Sequence, residues 1–263
     1  MNAVARFGGV TLRGSSRYRG LVATAAILMI AGELLIRFGG GGLATIVSLL
    51  DVVLIVTPLV ALVAGTVQVH QAREVTELLL AQPVTRRTVF IGLYRKTVLP
   101  LMATLAIGLV APFVWHGLLD AAMLGQLGGL VLAAWALAMI GSALAFVIAV
   151  AIENRVRALG VALAAWLAAA VLWDGALLLG AMVWGDRPIE LPLLGLLAFN
   201  PIDLARVQLL IGTDAAALSG YTGAVVQHVI GTSAGHLYLI VALTLWLIGP
   251  LWFAAKTFQR KDF

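Results

Sequence analysis

Cysteine is absent from the 263 residues and charge is scarce, with only 11% of the chain Asp, Glu, Lys or Arg. The first absence removes disulfides, thiolate metal sites and cysteine nucleophiles together. The second, with 62% hydrophobic residues and a mean hydropathy of +1.06, excludes a soluble globular domain, in which roughly a quarter of residues are charged. Also missing is a glycine-rich phosphate loop ending in Lys-Ser or Lys-Thr, so any ATP hydrolysis belongs to another polypeptide. No Ser-His, two-Asp or His-Glu-x-x-His constellation is present, and no catalytic residue is assigned. The 6 Met are scattered, and His116, His228 and His236 fall at or beyond the ends of apolar runs, so no metal ligands are assigned either.

What is present is long apolar runs. A helix crossing a ~30 Å hydrocarbon core at ~1.5 Å per residue needs roughly 17 to 25 mostly apolar residues. Six runs qualify: Leu21 to Phe38, Ile46 to Val67, Val98 to Gly117, Met123 to Ala151, Ala158 to Trp184 and Leu237 to Ala255. The fold class is therefore an all-α polytopic membrane protein with six transmembrane helices. The first run follows twenty mostly polar or small residues and reads as an uncleaved first span.

The Lys and Arg residues sort strongly by side. Arg6, Arg13, Arg17, Arg19, Arg73, Arg86, Arg87, Arg95, Lys96, Arg155, Arg157, Lys256, Arg260 and Lys261 fall on one side, and Arg187 and Arg206 on the other. By the positive-inside rule both termini are cytoplasmic. The net charge of +5 thus reflects orientation in the bilayer, and no nucleic-acid partner is expected.

The cytoplasmic loop between spans two and three, residues 68–97, contains "REVTELLLAQPVTRR". On a helical wheel Val75, Leu78 and Leu79 share one face and Arg73, Glu74 and Glu77 the other, giving a short amphipathic helix that ends near Pro83. Thr85 then opens a cationic segment leading to span three. Such a helix either lies on the headgroups, with Arg86 and Arg87 held by anionic lipid, or docks in the groove of a soluble partner.

The segment "QAREVTELLLAQPVTRRTVFIGLY" resembles the cytoplasmic loop of ABC-2 type transporter permeases, with Arg73, Glu74, Thr76, Glu77, Leu78, Leu79, Leu80, Pro83, Val84, Thr85 and Arg86 filling that pattern. The resemblance implies a single transmembrane domain, residues 1–263, with an amphipathic cytoplasmic elbow at 1–20. It also implies a coupling helix carrying Arg73, Glu74, Val75, Glu77, Leu78, Leu79 and Arg86, and a dimer of two copies working with a cytoplasmic ABC ATPase dimer. ATP and Mg would be bound by that ATPase, and this chain would bind no cofactor. The location implied is the inner (cytoplasmic) membrane of a bacterium or archaeon.

Between spans five and six, residues 185–236 form an extracytoplasmic loop containing "LAFNPIDLARVQLLIGTDAAALSGYTGAVVQ". Asn200, Pro201 and Asp203 read as a helix start, with Asn as N-cap, Pro in the first turn and an acid near the positive end of the dipole. Leu204, Val207, Leu210 and Ile211 follow as an apolar stripe, and Asp203 and Arg206 are spaced to pair. "NPIDLARVQLL" and "GYTGAVVQ" resemble the corresponding loop of NosY-like permeases, the membrane subunits of a copper-processing transporter that matures nitrous oxide reductase. That resemblance implies a periplasmic NosD-like β-helical partner, with Asn200, Asp203, Arg206 and Tyr221 as the binding residues. Without it, the loop reads equally as a cap folded over the bundle.

Within the spans two acids stand out, because ionisable groups are costly at depth. Glu33 lies four residues from Arg37 and reads as a local ion pair. Asp174 has no cation on its own helix and is expected to face the bundle or a dimer interior. Three function classes follow: the permease or mechanotransmitting subunit of an ATP-driven system, including a general ABC-2 exporter of a small or lipidic substrate; a secondary transporter, though inverted repeats are not evident; and an intramembrane enzyme, which lacks a constellation.

Overall fold

Long uninterrupted apolar sequence leaves a chain in lipid one local solution, because a helix satisfies every interior backbone group without water. The computed structural model describes residues 15–39, 42–80, 83–184, 195–211 and 233–260, and among them there is no strand. Helix α1 spans Ser15–Phe38, α2 Gly42–Gln71, α3 Arg73–Leu80, α4 Arg86–Trp115 and α5 Ala121–Ala151. Then come α6 Arg155–Leu167, a π-helical turn Ala168–Leu172, α7 Trp173–Trp184, α8 Pro201–Ile211 and α9 Ser233–Arg260. Six helical stretches are long and apolar enough to cross a membrane, with α6, the π turn and the start of α7 making up the fifth. The chain is an all-α polytopic membrane protein.

Polar side chains set the starts of these helices. Thr85 accepts from the Thr88 amide at 3.3 Å, Asp120 from Met123 at 2.7 Å, and Asn154 from Val156 and Arg157 at 2.9 and 3.0 Å. Each cap satisfies amides that a helix start leaves without an intrahelical partner. Because Thr85 caps α4, the cationic segment forms that helix's first turns, and α4 begins at Arg86 rather than at the apolar Val98. Residues 15–20, the end of the 1–20 elbow expected from the sequence, run into α1 as one continuous helix; residues 1–14 lie outside the described residues. Gly117, at φ 65°, supplies the left-handed turn that reverses the chain after α4, and the Leu118 amide there reaches back to Phe113 O at 3.0 Å.

Helices α2, α4 and α5 form the centre, with α1 against α4 and α2, α6 against α2, and α9 against α5. The fourth span is 61% buried over its most apolar window and the fifth only 11%, so α6 and α7 are peripheral. The α2–α5 contact is close because small residues meet there. A Cβ on Gly65 would stand 2.6 Å from Ala145 Cβ, and one on Gly141 would stand 2.8 Å from Ala61 Cβ. In lipid, where no hydrophobic drive pushes helices together, such backbone approach and its dispersion contacts hold the pair. Leu49, Leu54, Leu105, Leu109, Phe113 and Leu130 complete the core around it.

Candidate functional site

Two structures project from the bundle's spans, α3 at one end and α8 at the other. Their construction differs.

At the α3 end, α2 passes into α3 through Ala72, whose amide bonds Gln68 O at 3.0 Å. One face of α3 is held by the chain itself. Ala72 and Thr76 are buried, the Thr76 hydroxyl donates to Ala72 O at 2.7 Å, and Leu79 packs against a cluster containing Val69, Val89, Phe90, Phe146 and Phe258. That cluster is aromatic and angular: Phe90 and Phe146 meet edge to face at 5.7 Å, and Tyr94 and Phe146 at 5.6 Å. The other face is open. Val75 is 44% exposed and Leu78 70%, flanked by the exposed Glu74 and Glu77.

This corrects the single apolar face expected from the helical wheel. Leu79 turns inward with Thr76, and only Val75 and Leu78 face outward. Arg73 is half-buried beside Val69 and Thr76. Arg86, expected as part of a docking surface or a lipid anchor, donates from Nη1 to Gln259 O at 2.9 Å, so it ties the start of α4 to the last turn of α9. His70 lies in the last turn of α2, with Nδ1 2.8 Å from Thr66 O and Nε2 3.1 Å from Ile152 O, at the joint where α5 ends.

At the opposite end, Asn200 Oδ1 accepts from the Ile202 amide at 3.1 Å, the cap expected from the sequence. Its Nδ2 donates to Asp203 Oδ2 and to Ala169 O, both at 2.9 Å. Arg206 Nη1 bridges two carboxylates, Asp203 at 3.2 Å and Asp174 at 3.3 Å. Ala169 belongs to the π turn and Asp174 follows it, so α8 is fastened to the one irregular stretch of the fifth span. Leu204 and Val207 pack with Leu197 and Leu239, while Ile202 and Ala205 enter the main core. Burial pushes the Asp203 carboxyl up to about 6; the neighbouring Asp174 acts in the same direction, and Arg206 and Asn200 oppose it.

Asn200 and Asp203 are 1% and 5% exposed, and their polar atoms bond within the chain. They are therefore internal connectors rather than a partner-facing surface, and Arg206 is an internal bridge. Tyr221, expected to accompany them, lies outside the described residues. The cation that Asp174 lacks on its own helix comes from 32 residues later in the chain. Glu33 pairs with Arg37 at 2.6 Å as expected, and its second oxygen meets His116 Nε2 at 2.9 Å, a partner that sequence spacing could not reveal. Among the described residues no three His, Cys, Asp or Glu side chains group as metal ligands do.

Six membrane-length helices with a short helix pinned between spans two and three define a polytopic membrane protein. The family model described as ABC-2 family transporter protein matches residues 15–263, and the chain belongs to that family. It is thus a membrane permease subunit of an ABC transporter, a class that works with a separate cytoplasmic ATPase. No curated protein matches the chain in sequence.

Proposed function

We propose that α3 is the coupling helix on which the ATPase docks, and that the permease passes ATP-driven motion through its spans to α8. One observation carries this reading: α3 has one face locked to the chain's own core and presents Val75 and Leu78, ringed by Glu74 and Glu77, on the other. A helix pinned on one side moves its spans when it is pushed on the other. Exposed apolar side chains within a charged rim suit the helix-in-groove mode of recognition.

In this reading the α3 end is cytoplasmic, which the distribution of Lys and Arg supports, and the chain works as a two-fold dimer. Residues 1–20 serve as the elbow, 68–97 as the coupling loop and 185–236 as the extracytoplasmic loop, in an inner membrane. ATP and Mg reside in the ATPase. The finer reading follows the NosY resemblance: the pair would act as a mechanotransmitter toward a periplasmic β-helical protein during copper-site maturation of nitrous oxide reductase. It asks no metal ligand of this chain, only movement of the outer loop.

Co-purification tests both levels. The ATPase should be retained by the wild-type permease and lost from a Val75→Asp, Leu78→Asp variant inserted at equal level. Undiminished recovery with normal ATP turnover would make α3 an interfacial anchor. An ATPase complex that captures no outer β-helical protein would remove the copper-maturation role and leave export of a small or lipidic substrate.

A further inference from the structure

A cavity of about 580 Å³ opens among α1, α2, α4 and α6, a size typical of small-ligand pockets. Each helix contributes an apolar wall: Leu21 from α1, Val63 from α2, Leu101 from α4 and Leu163 from α6. Thr24 and Thr97 also line it, but their hydroxyls are engaged by their own helices, at Gly20 O (2.9 Å) and Leu93 O (3.0 Å). The interior is therefore apolar in effect.

The polar character is confined to one end. Gln68 and Gln71 in the last turn of α2 and Arg155 at the start of α6 border the cavity at the α3 end, and no Asp or Glu lines it. Gln68 is 8% exposed and stands beside the exposed Gln71, so two side-chain amides border this end. Arg155 is exposed and has no ion-pair partner among the described residues. Gly20 and Leu163, on the peripheral α1 and α6, are exposed, so the cavity is open at the side of the bundle.

We infer that this cavity binds one anionic glycerophospholipid from the leaflet on the α3 side, with an acyl chain between the apolar walls and the phosphate headgroup at Arg155, Gln71 and Gln68. The gradient from apolar depth to a cation and amide donors matches that molecule end to end, and the absence of a lining carboxylate favours an anion over a zwitterion. Basic pockets between spans hold anionic headgroups in this way. The inference goes beyond the coupling reading and does not depend on it.

Native mass spectrometry of the full-length chain in micelles doped with phosphatidylglycerol or phosphatidylcholine tests it without the ATPase. The wild type should retain one phosphatidylglycerol per chain under conditions that strip phosphatidylcholine. Arg155→Gln should weaken retention at least about tenfold, the factor carried by a charge-assisted hydrogen bond, and Gln68→Leu should weaken it in the same direction. Arg157→Gln, which removes a cation from the same helix outside the cavity, should change nothing. Ala64→Phe, which fills the cavity, should exclude the lipid while the chain remains inserted. Equal retention of the two lipids, or equal behaviour of the Arg155 and Arg157 variants, would reduce the cavity to ordinary contact with the bilayer and overturn the inference.

Discussion

Asn200 donates from its side-chain amide to the carbonyl oxygen of Ala169 at 2.9 Å, joining the N-cap of α8 to the π turn of the fifth span. A π turn widens the helical ladder and presents carbonyls that a regular helix would satisfy internally, and such turns are frequent at functional positions. Here the turn provides the seat for α8. The fifth span and α8 are thus joined by a hydrogen bond and an ion-pair bridge.

Asn200→Ala should detach α8, because it removes a cap and a buried donor at once, at a cost of about 1 to 3 kcal/mol. Asn200→Asp should fall between wild type and alanine, since a carboxylate still caps Ile202 but cannot donate to Ala169. Hydrogen exchange across residues 201–211 measures this directly. Equal protection in all three proteins would show that apolar packing alone seats the helix.

Arg206→Met should be more damaging than Asp174→Asn. The first leaves two carboxylates facing each other without their shared cation; the second leaves Arg206 paired with Asp203 at 3.2 Å. Because Asp174 and Arg206 are partly exposed, solvent screening holds their own pair to about 0 to 1 kcal/mol. Thermal unfolding in detergent should order the proteins as wild type, Asp174→Asn, Arg206→Met.

Acidity should strengthen the connection between α8 and the fifth span. The Asp203 carboxyl titrates at about 6, above its ordinary 3.8, so between those values the native state holds a proton that the unfolded chain has released. Stability from this group is therefore present at the acid end of the window and declines as pH rises through about 4 to 6. Unfolding followed from pH 4 to pH 7 should show this slope in the wild type and a flatter profile in Asp203→Asn.

Leu78 and Leu79 of α3 should behave differently. Leu78→Asp acts on an exposed position and should reduce ATPase binding with the permease fold intact. Leu79→Asp places a charge against the Val89 and Phe90 cluster and should lower the stability of the permease itself. Matched pull-down and thermal measurements separate the two effects.

Gly141→Val should loosen the bundle's central contact, because even a Cβ there would stand 2.8 Å from Ala61 and the backbone of α2 runs directly behind it. Overpacking of this kind costs about 1 to 3 kcal/mol. Gly160→Ala, where nothing lies within 4 Å, is the matched control and should leave the unfolding temperature unchanged.

The sequence by itself determined six spans, because hydrocarbon thickness fixes how long an apolar run must be, and runs of that length need no tertiary information to be read. It also determined the start of α8: Asn200, Pro201 and Asp203 act on the backbone within one turn, a local effect that survives in any fold. The Glu33 to Arg37 pair was legible for the same reason, since four residues span one helical turn. Tertiary structure alone decided which side of α3 is free, because Val75, Leu78 and Leu79 are alike in polarity and only the cluster around Phe90 and Phe146 draws Leu79 inward. It alone turned Asn200, Asp203 and Arg206 into an internal connector, since Asp174 and Ala169 lie about thirty residues away and in-register spacing says nothing at that range. Local chemistry is written in neighbouring residues. Partnership between distant ones is set by how the helices pack, and here that packing placed both α3 and α8.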